Sequence, residues 1–122
     1  MTEKGFWAFI SMAIAVKGRM NQVSGYVDSD GQDINENGRY LGGHSVLFKG
    51  YDKLSEEKIE EIGSLLFDSS VSGQAKEAVL TLLAHYPKRC ALNILRRYNK
   101  DPDKDLAYYA KTALWECHMW NK

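Results

Sequence analysis

The sequence predicts an all-α fold made of helix pairs, and three observations carry that prediction. From Ser55 onward apolar residues recur at i, i+3, i+4 and i+7, the period of a helix with one buried face. Serine, aspartate and proline punctuate these stretches at positions where helices start and stop. Finally, the chain matches itself when shifted: a shift of 32 places Ala75 on Ala107, Ala78 on Ala110 and Leu82 on Leu114, and a shift of 33 places Ile59 on Leu92 and Ile62 on Leu95. Self-similarity at such a period is the mark of stacked supersecondary units.

The chain is expected to be one domain, 1–122, divided into an N-terminal helix (1–20), a polar loop or small β-hairpin (21–53) and helix pairs (54–122). In the first part Phe6, Phe9, Ile10, Ala13 and Ile14 form a helical stripe. The apolar run from Phe6 to Val16 falls short of the roughly 20 residues needed to span a bilayer. A basic "KGR" stands where a signal peptide would carry its small-residue cleavage site, so the reading is a mature, cytoplasmic protein. Over about 21–50 the helical pattern vanishes. Two β-like runs, "QVSGYV" and "HSVLF", flank the polar segment "DSDGQDINENG", which is the pattern of a hairpin.

Helical signals then return. Ser55 caps a helix whose first turn holds Glu56 and Glu57, placed to complement the positive end of the helix dipole; Ile59, Ile62, Leu65 and Leu66 face inward. Asp68, Ser69, Ser70, Ser72 and Gly73 break this helix and cap the next, which buries Ala75, Ala78, Val79, Leu82 and Leu83 and stops at Pro87. A third runs from Lys88 to about Asn99 with Leu92, Leu95 and Tyr98 inward. For the fourth, Asp101 is the expected cap, Pro102 the first helical position and Asp103 a first-turn acid, with Leu106, Ala110, Ala113, Leu114 and Cys117 in the core.

The segment "DPDKDLAYYAKTALWE" resembles the inter-repeat turn and second-unit helix of HEAT-like repeats, and the resemblance extends over residues 55 to 120. Leu106-Ala107 replaces the usual Val-Arg dipeptide, and the first unit lacks the Asp-Pro turn. The resemblance implies two antiparallel helix pairs and a surface that binds another macromolecule.

Composition limits the function. The 122 residues are 44% hydrophobic and 26% charged, which supports a packed core and excludes a disordered chain. Sixteen bases balance sixteen acids, so no overall field draws the molecule to nucleic acid or anionic lipid. The halves differ: 1–68 hold eleven acids and seven bases, 69–122 five acids and nine bases. Asp33, Asn35, Asn37 and Gly38 match positions 1, 3, 5 and 6 of a calcium loop, but position 12 is His44. An Asn/Asp/Gly turn explains the cluster as well. His85, Cys90, Cys117 and His118 have the chemistry of zinc ligands or a Cys-His pair. Adjacent helical residues point about 100° apart, however, and nothing marks either cysteine as activated. Glu56, Glu57, Glu60 and Glu61 read as a solvated helix face. No phosphate-binding loop, nucleophile elbow or metalloprotease motif occurs. The expectation is therefore a protein that is not an enzyme and carries no cofactor and no metal.

Binding is what the residues favour. Asp28, Asp30, Asp33 and Glu36 make an acidic loop. Arg96 and Arg97, with Lys88, Arg89 and Lys100, make the third helix basic, and Tyr108, Tyr109 and Trp115, with Trp120 nearby, give the last helix more aromatics than one face can bury. By size and architecture the chain resembles a small bacterial toxin-immunity protein of the contact-dependent growth inhibition type. That resemblance implies a cognate toxin, such as a nuclease domain, as partner, occluded without nucleic acid or membrane taking part. A HEAT-like adaptor and a nucleic-acid-binding helical repeat are the alternatives.

Overall fold

A computed structural model of the chain describes residues 1–16, 26–27, 33–34, 47 and 50–121. The protein is all-α. Its helices are α1 (Glu3–Val16), α2 (Glu56–Gly63, continued by a 3-10 turn Ser64–Phe67), α3 (Gly73–His85), α4 (Arg89–Lys100) and α5 (Ala107–Trp120, preceded by a 3-10 turn Lys104–Leu106). Between α1 and α2 lies a two-residue antiparallel ladder, β1 (Tyr26–Val27) with β2 (Asp33–Ile34). The described end of "QVSGYV", Tyr26–Val27, thus meets part of the polar segment, and the expected pairing with "HSVLF" lies outside the described residues. Of that run only Leu47 is described, half-buried and outside any regular element.

The order in which partners meet defines the stack. Along α3 and the α5 segment, Lys76 bonds Asp103, Thr81 bonds Tyr109 and His85 pairs with Glu116. Both chains advance in the same direction, so α3 and α5 run parallel. The same holds for α2 and α4: Cys90 lies by Glu56, Ile94 by Gly63, and Tyr98 packs edge-on against Phe67 with ring centroids 5.9 Å apart. Between neighbours the chain reverses, since the Tyr86 hydroxyl at the end of α3 donates to the Leu54 carbonyl just before α2. The architecture is thus two antiparallel pairs, α2/α3 and α4/α5, with like helices stacked on like. The internal matches at shifts of 32 and 33 are the sequence trace of that stacking.

Local chemistry sets the ends of the helices. Ser55 Oγ accepts from Lys58 N at 3.1 Å and Ser72 Oγ from Ala75 N at 3.2 Å, each satisfying an otherwise orphaned donor of the first turn. Helix α1 is pinned at the second of these caps. Glu3 accepts from Ser72 N and Ser72 Oγ, both at 2.7 Å, and from Trp7 Nε1 at 3.2 Å. Burial opposes the Glu3 charge, but these bonds outweigh it and hold the carboxyl below its ordinary value. Phe6 and Ile10 of α1 enter the common core, and Lys58 Nζ sits 5.2 Å from the centre of the Phe9 ring. Helix α1 therefore closes the α2/α3 end of the stack.

The predicted inward faces are the buried ones: Ile59, Ile62, Leu65 and Leu66; Ala75, Ala78, Val79, Leu82 and Leu83; Leu92, Leu95 and Tyr98; and Leu106, Ala110, Ala113 and Cys117. Leu114 is half-buried. Among the α1 stripe residues, the side chains of Ala13 and Ile14 lie outside the description. At Gly63 two helices approach so closely that an added Cβ would stand 2.8 Å from Ile94 Cδ1 and 2.9 Å from Cγ2.

Three assignments change in the turn before α5, where Pro102, expected as the first helical position, lies before the next helix structure begins. Asp101 is not the helix cap: it ends α4, its backbone N–H bonding the Tyr98 carbonyl, and helix structure resumes only at Lys104. Asp103 is not a first-turn acid either. Its Oδ2 accepts from Lys76 Nζ at 2.9 Å and from the Tyr98 hydroxyl at 2.5 Å, and its own N–H returns a bond to that hydroxyl at 3.1 Å. Lys76 is 4% exposed, and a buried ammonium demands a charged partner. Tyr98 and Lys76 hold the Asp103 carboxyl below its ordinary range. Burial, with the bond to Asp103, pushes the Tyr98 hydroxyl up to about 12.

These contacts predict three outcomes. Asp101→Ala leaves urea-melting stability within about 0.5 kcal/mol, whereas Asp103→Ala strands the Lys76 charge and costs about 3 kcal/mol; equal effects would refute the assignment. A carboxyl with a depressed folded pKa contributes stability that is present above its unfolded value and lost as pH falls through the folded one. Melting temperature should accordingly decline as pH drops below the ordinary values of 4.5 for Glu3 and 3.8 for Asp103, and the Glu3→Gln, Asp103→Asn double variant should flatten that decline. Gly63→Ala destabilises despite a helix-propensity gain of about 1 kcal/mol, because overpacking outweighs it; in an Ile94→Ala background the same change becomes stabilising, read by denaturation of all four proteins.

Candidate functional site: a basic aromatic groove on the last helix pair

Helix α5 buries Ala110, Ala113 and Cys117 but presents its other face to solvent. Tyr108 is 85% exposed and Trp115 67%, with Met119 following on the same side. The spacing 108, 112, 115, 119 continues one helical stripe. Against it, α4 contributes Leu92 and Arg96, so that a groove of about 700 Å³ forms between the two helices. Leu92 and Leu114 are its apolar floor, Tyr108 and Trp115 its walls, and Arg96 and Lys111 its fixed positive charges, with His118 at one end. Among the described residues no carboxylate lines it. The groove lies between α4 and α5, antiparallel neighbours that Asn99 Nδ2 ties together by its bond to the Ala110 carbonyl at 3.1 Å.

A second groove, of about 390 Å³, runs between α3 and α5 and shares Tyr108 and Thr112 with the first. Its polar groups are mostly engaged with one another. Tyr109 Oη and Thr81 Oγ1 are 2.7 Å apart. His85 Nδ1 lies 2.8 Å from the Thr81 carbonyl and Nε2 3.3 Å from Glu116 Oε1. Each ring nitrogen of His85 faces an oxygen, one on its own helix and one on α5, so the imidazole ties helix to helix.

Of the residues expected to contact a partner, Arg96, Tyr108 and Trp115 come together in the larger groove. Arg97 does not join them: one residue on, it points elsewhere and lies with its guanidinium carbon 5.2 Å from the centre of the Phe67 ring. Tyr109 belongs to the second groove. Asp33 pairs opposite Val27 in the ladder, while Asp28, Asp30 and Glu36 lie outside the described residues, as do His44 and all of the calcium-like loop beyond Ile34. Lys111, His118, Leu92 and Leu114 are site residues the sequence reading did not single out as such. The 108, 111/112, 115, 118/119 spacing of exposed aromatic and cationic residues on a helix already known to bury Ala110 and Ala113 was the available signal.

The cysteines are unsuited to nucleophilic work. Both are free thiols. Burial pushes Cys117 up to about 11, and burial together with Glu56 raises Cys90; either shift suppresses the thiolate. No three His, Cys, Asp or Glu side chains gather to hold a metal among the described residues, and no helix among them is long and apolar enough to cross a membrane. What the fold and the groove define is a small all-α protein of stacked helix pairs with an exposed basic and aromatic face. Comparison with protein-family models, with curated proteins and with solved structures finds no match for the chain.

Because Tyr108, Trp115 and Arg96 are exposed, substituting them should leave folding intact. Tyr108→Ala, Trp115→Ala and Arg96→Glu should each shift stability by less than about 0.5 kcal/mol, in contrast to about 2–5 kcal/mol for the fully buried Leu82→Ala; denaturant midpoints at matched slope check the contrast.

Proposed function

We propose that the chain acts by binding another protein through the α4–α5 groove, and that its role is that of an immunity protein occluding a cognate toxin domain. The observation that carries the first half is the gathering of Arg96, Lys111, Tyr108 and Trp115 around an apolar floor on an exposed face. Trp, Tyr and Arg are the side chains that dominate binding energy at protein interfaces, and here they are held on rigid helices, which lowers the ordering cost of association. The second half rests on the resemblance in size and helical architecture to small toxin-immunity proteins. An inhibitor of this kind works by presenting a surface and needs no reaction of its own.

The charge of the groove bears on the target. Opposite charges speed encounter, so a face carrying Arg96 and Lys111 suits an acidic surface on the toxin rather than the cationic cleft of a nuclease. The HEAT-like adaptor reading draws on one specific observation, the parallel stacking of α3 on α5, which makes an end face available to any further helical layer.

The experiment is to sequence the neighbouring genes and co-express the chain with a toxin domain found there. The native chain should protect the cells and form a one-to-one complex. Trp115→Ala combined with Arg96→Glu should weaken affinity by at least about tenfold, the equivalent of one hot-spot residue, with unchanged thermal melting. Weak binding to several unrelated proteins, without protection, would favour the adaptor.

A further inference from the structure

We infer that the α4–α5 groove receives an acidic amphipathic helix of the partner protein, laid along α5 as α5 is laid along α3. This rests on the partner-binding reading above and names the chemistry of the occupant.

The stack itself supplies the first reason. At the shift of 32 that relates α3 to α5, Lys76, Val79, Leu80 and Leu83 correspond to Tyr108, Lys111, Thr112 and Trp115. The four α3 residues are buried; the four α5 residues are exposed. Helix α5 therefore turns outward, at the open end, the same face that α3 buries, and a helix is the element that fits alongside. The opposite end is already closed by α1, whose Phe6 and Ile10 are buried, so the two ends of the stack are not equivalent. Between two antiparallel helices the groove has an apolar floor, Leu92 from α4 and Leu114 from α5, with Tyr108 and Trp115 one helical stripe along its α5 wall, the shape into which an amphipathic helix lays its apolar face.

Charge supplies the second reason. Arg96 stands on the α4 side and Lys111 on the α5 side, and no carboxylate among the described residues lines the groove. An occupant with Asp or Glu flanking its apolar stripe would meet a cation from each helix. A second copy of this chain is a poorer fit. Pairing the same faces by a two-fold axis sets Arg96 and Lys111 against their own counterparts, and α1 at the other end exposes Lys4 while its one acid, Glu3, is bound to Ser72. Nucleic acid would gain from the two cations and the aromatic walls but would leave the leucine floor unused.

The test uses a fluorescein-labelled peptide of about 18 residues, long enough to reach a helix when bound, with Leu and Ala at i, i+3, i+4 and i+7 and Glu on its flanks. Three probes accompany it: the same composition scrambled out of helical period, a version with Lys for Glu, and a single-stranded oligonucleotide. The acidic helical peptide should bind saturably, gain helicity in circular dichroism, and bind at least about tenfold more tightly than the other three. The Arg96→Glu, Lys111→Glu variant, melting as the native protein does, should lose at least about tenfold in affinity and gain affinity for the lysine peptide. Equal binding of the scrambled peptide or the oligonucleotide, or indifference to the double variant, overturns the inference. So does sedimentation showing a dimer that Trp115→Ala dissolves, since the occupant is then a second copy. If Trp115→Ala abolishes toxin protection while the acidic helix does not bind, the occupant is wrong and the partner reading stands; if protection ignores Trp115→Ala, the partner reading falls.

Discussion

The ammonium group of Lys76 sets the terms on which the two helix pairs meet. A charge that is 4% exposed cannot be left without a counter-ion, because the cost of burying it alone is several kcal/mol. Asp103 must then stand opposite it, and Asp103 lies in the connection between α4 and α5. Tyr98, at the end of α4, donates to the same carboxylate oxygen. One oxygen thus gathers α3, α4 and the approach to α5, which fixes the longitudinal position of the second pair on the first. With that register set, Thr81 falls opposite Tyr109 and His85 opposite Glu116. The groove inherits its geometry from the same register, since α5 can expose Tyr108 and Trp115 only if Ala110, Ala113 and Cys117 are turned toward α3 and α4.

The two ends of the stack are treated differently. At one, α1 places Phe6 and Ile10 over the first pair and spends its single acid on the cap of α3. At the other, the exposed face of α4 and α5 carries Arg96, Lys111, Tyr108 and Trp115, side chains that tolerate water. Those residues keep the open end soluble and at the same time make it adhesive toward a surface of opposite charge. The net charge difference between the halves of the sequence, acidic through 68 and basic beyond, is the coarse outline of that arrangement.

Much of this was legible in the residues. The apolar stripes of α2 to α5 were readable because each follows a helical period, and Ser55 and Ser72 because a hydroxyl before a helical run has one favourable use. The repeat was visible because the two pairs bury some equivalent positions, Ala78 and Ala110, Ile59 and Leu92, Ile62 and Leu95. What could not be read depended on partners distant in sequence. "DPD" offers two acids for one role, and the choice between Asp101 and Asp103 is made by a lysine 27 residues earlier. Arg96 and Arg97 look alike in a basic run, yet one helical step sends the first to the groove and the second to Phe67. Tyr109 reads as an interface aromatic until Thr81 takes its hydroxyl. The expectation that most needed tertiary context was the acidic loop, of whose four acids only Asp33 falls among the described residues.

The bond between Glu3 and Ser72 spans 69 residues of chain, whereas the ties between α3 and the α5 segment, Lys76 to Asp103 and Thr81 to Tyr109, span 27 and 28. Loop closure makes the longer tie dearer at equilibrium by less than about 1 kcal/mol, a minor difference. In time the difference is larger, because contacts distant in sequence form after local ones. The helix pairs can assemble on each other from short-range contacts alone, and α1 can only arrive once the cap it grips has been built. The N-terminal helix is on this account the last element to dock in folding and the first to lift away in the native state, which would make it the region of fastest hydrogen exchange among the five helices.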